Sequence, residues 1–467
     1  MTPAVPGPAL AASDARGSSP TLLLCPPGTR IYQRDNYCSH ESKASYYWYP
    51  YDLVVRSGFL SGIGPVEVLD ATARRLTARQ ALDILSGTRY RAVLALTGAV
   101  CWGEDEEFLR RLDQQAGVPV YLSGDVVCAH PKRAMEELPF VAGVLRDYTS
   151  PALAQHLEGR PPEDGALVLR GQEVVPPRAA RPGAPYLIPI PRWDLFPPGY
   201  YRLPFLRSPP FASVGASFGC PHACGFCTAA PLAWKMRDLD NLFDELRFLK
   251  RAGYREIHFK DLSFGIDPAS YGRLLERLVD ERLGFVFCCL ARADNLSPDL
   301  LRLMKRAGCR LVHMGVESAS GSTLERVGKG LTLGDVETAI EDCRRLGIAV
   351  LASYVLGLPW ETRQDLERSI ELAISLDTDY ASFNTYLMRT NWPTRGAGSA
   401  PVARDYDLDE MVHLAYRRFY FRPAYLLRRL IGSASPTTLR LAVASGWELF
   451  RRHVLPGMRN GRAGSTT

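Results

Sequence analysis

The stretch Cys220-Pro221-His222-Ala223-Cys224-Gly225-Phe226-Cys227 places three cysteines at spacings of four and three residues. Three thiolates on one such loop can bind three irons of a cubane iron–sulfur cluster, which leaves the fourth iron without a protein ligand. A structural zinc site would need four ligands, and no second Cys or His pair follows at zinc-finger spacing to join His222. The motif therefore predicts an iron–sulfur cluster with one open iron, on Cys220, Cys224 and Cys227.

Apolar runs alternate with amphipathic helical patterns around and after this motif, which is typical of parallel β/α units. The loop itself follows a predicted strand, so the cluster is expected at the mouth of a barrel. Six strand–helix steps predict an open parallel (β/α)6 barrel. The predicted strands are residues 213–217, 256–259, 285–290, 310–316, 349–356 and 380–386.

The N-terminal part of the chain shows the same alternation. Short apolar runs at residues 22–25, 66–70, 91–96 and 118–122 predict strands of a doubly wound, Rossmann-like parallel sheet. Ligands of such sheets bind beyond the carboxyl ends of the strands. Pro26, Asp70, Thr97, Gly98 and Gly124 are therefore expected around one crevice.

The chain of 467 residues is long enough for two domains and an appendage. Composition divides it into five parts, of which the first is an Ala-, Pro-, Ser- and Gly-rich tail expected to be disordered and the third is a Pro- and Gly-rich linker. The last is expected to be helical, amphipathic and basic. In order they are residues 1–20 (tail), 21–159 (Rossmann-like domain), 160–205 (linker), 206–397 (barrel) and 398–467 (C-terminal helices).

Charge and cysteine content narrow the functional classes. The net charge of +6 is small against 56 basic and 50 acidic residues that are spread along the chain, so a nucleic-acid-binding function is not expected. No uninterrupted apolar run approaches the length of about 18 residues that a membrane span needs, and the N-terminus lacks a signal-peptide pattern. We expect a cytoplasmic protein, in which clustered cysteines point to metal rather than to disulfides.

The three-cysteine loop resembles the signature of the radical SAM superfamily, whose members hold a [4Fe-4S] cluster and cleave S-adenosylmethionine (SAM) reductively. The resemblance implies that Phe226 packs near the adenine and that Asp261 and Ser263, in Lys260-Asp261-Leu262-Ser263, hold the methionyl amino group. Leu262 stands where a second Asp is often found in that family. The stretch Gly357-Leu358-Pro359-Trp360-Glu361-Thr362 is similar to the segment that shapes the adenine pocket, and Gly357 is the residue assigned there.

Arg292 and Glu317 each end a predicted barrel strand. The resemblance implies that Arg292 grips the SAM carboxylate, and a guanidinium offers a bidentate fork for such a group. Glu317 would accept hydrogen bonds from the ribose. The alternative is a salt bridge across neighbouring strand ends, and for Asp261 and Ser263 structural and functional roles are equally open.

The N-terminal block resembles the cobalamin-binding domain that precedes many radical SAM barrels, as in class B radical SAM methyltransferases and the radical SAM proteins of hopanoid pathways. Where that family has a cobalt-ligating His loop, this chain has Asp70-Ala71-Thr72-Ala73-Arg74 without a His. The resemblance implies that Asp70, Thr97, Gly98, Ser123 and Gly124 line the corrin. The alternative is that they only form tight turns.

Four consecutive aromatic residues, Tyr46-Tyr47-Trp48-Tyr49, follow the unusual stretch at residues 34–39. This region resembles the corresponding part of hopanoid-pathway radical SAM proteins. It is interpreted either as a substrate wall between the two domains or as an aromatic core next to a helix.

The resemblance implies a radical SAM enzyme that generates a 5′-deoxyadenosyl radical, with cobalamin-dependent methylation of an unactivated carbon in a small metabolite or lipid as the first hypothesis. Its partners would be a flavodoxin or ferredoxin as reductant and that substrate. The alternatives are a radical SAM cyclase or rearrangement enzyme without methyl transfer and, more remotely, an iron–sulfur electron carrier or sensor. A carrier would usually protect all irons with protein ligands.

Overall fold

The computed structural model describes residues 19–43, 46–162, 164–174, 185–227, 233–386, 405–431 and 436–455. Most of the tail expected to be disordered, residues 1–18, lies outside the described residues. Sixteen strands form two six-stranded sheets and two short hairpin-like pairs within these ranges.

The N-terminal sheet has the strand order β4-β1-β5-β6-β7-β8 and is parallel except for β8, which pairs antiparallel with β7. This doubly wound arrangement confirms the predicted fold class. Its strands and the short β2–β3 pair are β1 Thr21–Cys25, β2 Tyr32–Gln33, β3 His40–Glu41, β4 Val66–Asp70, β5 Ala92–Thr97, β6 Val120–Gly124, β7 Val141–Leu145 and β8 Leu167–Leu169. Its helices are α1 Tyr51–Ser61, α2 Ala78–Leu85, α3 Trp102–Ala116, α4 Asp125–Ala129, α5 Pro131–Glu137 and α6 Ala152–Leu157.

The second sheet has the order β16-β15-β14-β13-β12-β9, and every pair in it is parallel. Because β9 and β16 are the two edges, the sheet is open, as expected for a (β/α)6 partial barrel. Its strands and the short β10–β11 pair are β9 Phe211–Val214, β10 Ser217–Phe218, β11 Lys235–Met236, β12 Glu256–Phe259, β13 Val286–Ala291, β14 Cys309–Glu317, β15 Ala349–Leu356 and β16 Tyr380–Thr385. Its helices are α7 Leu239–Arg251, α8 Pro268–Glu281, α9 Pro298–Arg306, α10 Gly321–Arg326, α11 Leu333–Arg345 and α12 Arg363–Leu376.

Three helices follow the barrel in the part of the chain that the structure describes: α13 Leu408–Tyr420, α14 Pro423–Ile431 and α15 Pro436–His453. The α13 helix packs against α12 and β16, and the Tyr416 and Tyr420 hydroxyls donate to or accept from the backbone of β16. None of the helices in the described ranges is long and apolar enough to cross a membrane.

Local sequence signals account for several barrel helices. Thr332 and Thr362 each accept a hydrogen bond from the backbone N–H three residues on, while Asp335 and Asp365 bond back to the cap backbone. Such reciprocal capping satisfies donors that a helix N-terminus leaves free. These caps set the first turn of α11, which follows α10, and the first turn of α12, which follows the loop after β15.

The two sheets are not independent. One continuous hydrophobic core joins Tyr49 and Tyr51 of the N-terminal part to Phe211 and Val214 of β9. The Tyr51 hydroxyl also accepts a 2.6 Å hydrogen bond from the backbone N–H of Gly215, at the strand end that leads to the cysteine loop. The N-terminal block therefore supports the position of that loop directly.

The domain boundaries drawn from the sequence remain predictions. The short strand β8 lies inside the segment predicted as a linker and adds an edge to the N-terminal sheet. Tyr201, which lies further along that segment, stacks on Tyr49 with ring centroids 4.0 Å apart. Residues after β8 therefore pack against the core.

Candidate functional site

The cysteine loop begins directly after β10 and is pinned at two backbone positions. The N–H of Gly225 donates to the carbonyl of Val327 (2.8 Å), and the N–H of Cys227 donates to the carbonyl of Cys224 (3.0 Å). Cys224 is buried, whereas Cys220 and Cys227 are half-buried. The loop thus carries three cysteines that form no disulfide in the described residues, on a turn that the segment after α10 holds in place.

In the described residues no group of three or more His, Cys, Asp and Glu side chains is arranged around a single metal ion. Three cysteine thiolates can each bind a different iron of a cubane cluster, whereas a structural zinc site needs four ligands, so the donor set of three cysteines fits a [4Fe-4S] cluster better than it fits zinc.

Two cations lie beside the cysteine loop. The guanidinium of Arg292 is 3.9 Å from the sulfur of Cys224 through Nη1, and its Nη2 donates to the carbonyl of Lys329 at 2.7 Å. The ammonium of Lys329 is 6.0 Å from the centre of the Phe226 ring. Nearby positive charge stabilises thiolates and the anionic groups bound to them.

Arg292 and Glu317 do not pair with each other, so the salt bridge considered from the sequence does not form. Nε and Nη2 of Arg292 donate to Asp294 at 2.9 and 2.8 Å, and Glu317 accepts from Lys329 at 2.7 Å. Both nevertheless lie at carboxyl ends of barrel strands, as expected. Nη1 of Arg292 makes only the long sulfur contact in the described residues.

The end of β14 has an unusual backbone. Glu317 has φ +71, in the left-handed region that non-glycine residues rarely adopt. A Cβ on Gly315 would lie 2.2 Å from Oε1 of Glu317, so only glycine leaves room for this carboxylate to fold back toward Lys329. Strained backbone of this kind is concentrated at functional sites.

Asp261 and Ser263 make protein contacts. Asp261 accepts from the N–H groups of Ala216 and Ser217 and from the Tyr271 hydroxyl, at 2.7, 3.0 and 2.8 Å. Burial raises its pKa to about 6 against these hydrogen bonds. Ser263 accepts from the side-chain amide of Asn295 at 2.8 Å. Asp261 therefore anchors the strand end that leads into the cysteine loop, while its side chain still lines the central cavity described below.

Gly357 follows β15 with φ +83, and a nearby carboxylate orders its loop. Oε2 of Glu361 accepts from the N–H groups of Gly357 and Leu358, both at 3.0 Å, and Oε1 accepts from the Ser318 hydroxyl at 2.9 Å. Burial raises the pKa of Glu361, which these hydrogen bonds oppose. Sequence reasoning missed this role, although the position of Glu361 four residues after the glycine was a usable signal.

A cavity of about 1260 Å³ opens between the barrel strands, the N-terminal block and the C-terminal helices. We call it the central cavity. Phe226 and Cys227 line it beside the cluster loop. Its other walls include Asp35, Cys38, Trp48 and Val100 from the N-terminal block, His258, Lys260, His313, Glu317 and Ser353 from the barrel, and Tyr416, Phe421 and Arg452 from the C-terminal helices.

The N-terminal strand ends are covered by the chain itself. Residues 34–40, here called the covering segment, pass over them, and Asn36 Oδ1 accepts from the Ser123 hydroxyl (2.7 Å) and the Gly124 N–H (3.2 Å). Thr97 donates to the carbonyl of Ser123, and the Gly98 N–H donates to Asp105. A Cβ on Gly124 would lie 2.0 Å from the carbonyl oxygen of Thr97, so this glycine is required by a close backbone approach.

Asp70 is likewise used internally. It accepts from Tyr47, Tyr201 and the N–H of Ala73, and burial raises its pKa to about 6. None of the five strand-end residues proposed from the sequence for cobalamin lines the central cavity. On this side the cavity is instead bounded by the covering segment and Val100. A wall between the two domains was one of the two interpretations of the region with residues 34–39, and Asp35, Tyr37 and Cys38 of that region line the cavity.

The side chains of the four aromatic residues at 46–49 point alternately into the core and toward the central cavity. Tyr47 and Tyr49 are buried in the core and stack on Tyr201, while Tyr46 and Trp48 face the central cavity and stack on each other at 5.7 Å. An extended segment sends successive side chains to opposite sides. Both interpretations made from the sequence, core and cavity wall, therefore describe two of the four residues each.

Comparison with known proteins agrees with this geometry. Residues 216–373, which contain the cysteine loop and most of the barrel, match the family model of the Radical SAM superfamily. An uncharacterised methyltransferase of Pyrococcus horikoshii is 29% identical over 343 residues, which cover 66% of this chain and 74% of that protein.

Two solved proteins share the two-block fold. The radical S-adenosylmethionine methyltransferase TsrM of Kitasatospora setae, with tryptophan and a SAM analogue bound, superposes with a TM-score of 0.65 at 18% identity, covering 95% of this chain and all (100%) of that chain. Another TsrM structure holds cobalamin and a [4Fe-4S] cluster. The cobalamin-dependent radical enzyme OxsB gives a TM-score of 0.55 at 15% identity, covering 88% of this chain and 56% of that chain. At these identities the likeness concerns the fold.

Proposed function

Because this chain contains a radical SAM domain at residues 216–373, we propose that it is a radical SAM enzyme that methylates an unactivated carbon of a small metabolite or lipid with cobalamin as methyl carrier. One observation carries this proposal: the loop with Cys220, Cys224 and Cys227 opens into a cavity of about 1260 Å³ that a Rossmann-like block closes from the other side. Such a cavity exceeds the usual size of small-molecule sites and has room for more than SAM alone.

This chain has residues suited to bind both the cluster and SAM. The three thiolates hold three irons, and the cluster supplies reductive cleavage of SAM when both are bound, with an electron from a flavodoxin or ferredoxin. Nη1 of Arg292 would bind the carboxylate of SAM, while Asp294 holds the rest of the guanidinium in place. Phe226 and Gly357 would bound the adenine and Glu317 would accept from the ribose, while Asp261 and Ser263 support the site through the strand ends.

Cobalamin requires a broad surface on the N-terminal block. The strand ends with Asp70, Thr97, Gly98, Ser123 and Gly124 do not fit it, because their polar groups are already hydrogen-bonded within the chain: Ser123 and Gly124 to Asn36 of the covering segment, and Asp70 to Tyr47 and Tyr201. The central cavity fits it better, since Tyr37, Cys38 and Val100 form a wall there opposite the barrel. Cobalamin supplies a methyl group when bound, and the wall's task is to keep that group near the cluster side while excluding water.

A different observation supports a second candidate, a radical cyclase or rearrangement enzyme without methyl transfer. Its support is that the strand-end residues expected to hold a corrin are hydrogen-bonded within the chain. Such an enzyme would use the central cavity for SAM and substrate only.

Metal analysis separates the two candidates. The protein is expressed with abundant cobalamin and purified anaerobically, and cobalt and iron are measured per chain. Methyl transfer predicts about one cobalt for each full cluster. A full cluster without cobalt would remove the methyltransferase proposal and favour the second candidate.

Two variants test where the cobalamin lies. Val100→Trp fills part of the cavity wall and should lower the cobalt content while the iron content stays full. Val174→Trp adds the same side chain at an exposed position outside the cavity and should change neither. Equal cobalt in both variants would place cobalamin away from this wall.

A further inference from the structure

Three polar atoms of residues that line the central cavity have no hydrogen-bond partner among the residues that the structure describes: Nε1 of Trp48, Nδ1 of His258 and Nε2 of His453. The first two are neighbours, because the Trp48 and His258 rings lie 5.9 Å apart between centroids. Buried polar atoms in native proteins are nearly always hydrogen-bonded. Two neighbouring exceptions in one cavity wall indicate a ligand group that supplies the missing bonds.

The chemistry of the two atoms restricts that group. Indole Nε1–H is a donor only, so its partner must be an acceptor. An imidazole with its proton on Nδ1 is a second donor. A carbonyl oxygen has two lone pairs and can accept from both at once. A ketone, ester or amide oxygen therefore satisfies both atoms with a single group.

The charged groups next to Trp48 and His258 already have partners within the chain. Lys260 lies 5.0 Å above the Trp48 ring, and its ammonium is 3.2 Å from the carboxylate of Asp35. His313 bonds to the Ser353 hydroxyl at 2.5 Å, and burial, with Lys260 next, lowers its pKa to about 4. Burial likewise lowers the pKa of His258, so both rings are neutral near pH 7. Nothing among these groups calls for a charged ligand.

Aromatic rings lie close to the pair and across the cavity from it. Tyr46 stacks on Trp48 with ring centroids 5.7 Å apart, and Tyr416, Tyr420 and Phe421 line the cavity from the C-terminal helices, together with charged residues such as Arg452. Aromatic side chains offer a ligand apolar contact area, while a few polar groups fix its orientation.

We propose that Trp48 and His258 form a substrate-recognition pair that binds the uncharged carbonyl oxygen of a substrate with an aromatic or otherwise apolar body. The proposal rests on the proposed function in that it takes the central cavity as the substrate site. It narrows the substrate class from any small metabolite or lipid to one with a neutral carbonyl group on an apolar body.

Three probes with the same ring system test the preference for a neutral acceptor: 2-naphthamide, 2-naphthoate and 2-naphthylmethylamine. Binding to the cluster-loaded full chain is measured anaerobically by calorimetry. The amide should bind roughly three to ten times more tightly than either charged probe, in line with one or two net hydrogen bonds. Tighter binding of either charged probe, or no binding of any of the three, would overturn the proposal.

Variants locate the binding. Trp48→Phe and His258→Leu should each weaken naphthamide binding roughly threefold to tenfold. His258→Asn, which keeps a polar atom near Nδ1, should recover most of the affinity. Trp102→Phe is the matched control because Trp102 is buried in the N-terminal core and does not line the cavity, and it should bind like the wild type. Unchanged affinity in Trp48→Phe and His258→Leu would overturn the assignment.

Failure of this inference is distinguishable from failure of the proposed function. Probe binding requires neither SAM nor turnover, whereas the proposed function requires that the cluster-loaded wild type cleave SAM. Thermal unfolding of each variant identifies a substitution that acts by unfolding the chain. If the wild-type protein binds naphthamide but does not cleave SAM, the recognition pair is supported and the proposed radical SAM activity is rejected.

Discussion

At the scale of single residues, Arg292 illustrates how one side chain serves two purposes. Two of its nitrogens are fixed by Asp294, and the third points along the cysteine loop toward Cys224. A guanidinium fixed in this way loses little conformational freedom when it binds a carboxylate. The salt bridge with Asp294 therefore orients the residue for SAM.

Arg292→Ala is expected to weaken SAM binding while the cluster is retained. Loss of a charge-assisted hydrogen bond costs about 1.5–3 kcal/mol, or about tenfold to a hundredfold in affinity. SAM binding to the reconstituted protein is measured by equilibrium dialysis, with iron content determined on the same sample. Arg302→Ala, on the exposed side of α9, is the control. A wild-type SAM affinity in Arg292→Ala would make Arg292 a purely structural ion pair.

His313 predicts a pH dependence of stability. Its pKa in the folded chain is about 4, below the ordinary value of 6.5, because burial and Lys260 disfavour its charged form. Between these two values the unfolded chain binds a proton that the folded chain does not. Stability is therefore unaffected above about pH 6.5 and falls as the pH drops toward 4, by about 1.4 kcal/mol per pH unit from this group.

His313→Gln should remove that contribution. The melting temperature of the variant relative to wild type is measured by calorimetry between about pH 7 and pH 5. The difference should shift in favour of the variant as the pH falls. A difference that stays constant with pH would mean that His313 titrates normally.

At the scale of elements, the loop after β15 depends on one carboxylate. Glu361 accepts from two backbone N–H groups and from Ser318 on the neighbouring strand end. Glu361→Ala leaves these donors unpaired, at about 1–3 kcal/mol for each buried group. Hydrogen exchange at residues 357–362 should accelerate, and SAM affinity should fall with it.

Glu367→Ala is the comparison for that experiment. Glu367 lies on the exposed side of α12, where its partner among the described residues is Arg363. Its removal should leave exchange in the loop unchanged. Slow exchange at residues 357–362 in Glu361→Ala would show that the loop is ordered by other contacts.

Local sequence patterns predicted the barrel elements well, since the six strands are regular apolar runs and the helices carry caps such as Thr332. They missed β7 and β8. Gly143 in the middle of β7 lowers strand propensity, yet a Cβ there would lie 2.8 Å from the carbonyl of Val168 in β8. That glycine is explained by the approach of another strand, which periodicity within β7 does not reveal.

At the scale of the whole molecule, long-range contacts decide which predicted residues reach the cavity. Lys260 pairs with Asp35 across 225 residues, and Lys235 pairs with Asp147 across 88. Burial raises the pKa of Asp35, but Lys260 and two backbone N–H groups outweigh it and hold that pKa below its usual value. No local pattern predicts that Asn36 of the covering segment bonds to Ser123 and Gly124 while its neighbours Asp35 and Cys38 line the cavity.

The Asp35–Lys260 pair should couple the two blocks. Lys260→Met leaves the buried Asp35 without its partner and should destabilise the chain by about 3 kcal/mol. The double variant Asp35→Asn with Lys260→Met should recover part of that loss. Thermal unfolding of the two single variants and the double variant measures this coupling. Losses that simply add would mean that the pair contributes no coupling between the blocks.

The central claim is that Cys220, Cys224 and Cys227 hold a cluster whose fourth iron binds SAM. Electron paramagnetic resonance of the reduced, anaerobically reconstituted protein, recorded with and without SAM, tests it most directly. The account predicts one [4Fe-4S] signal per chain that changes on addition of SAM and is absent when all three cysteines are replaced by Ala. A cluster signal that SAM leaves unchanged, or one that survives the triple replacement, would contradict it.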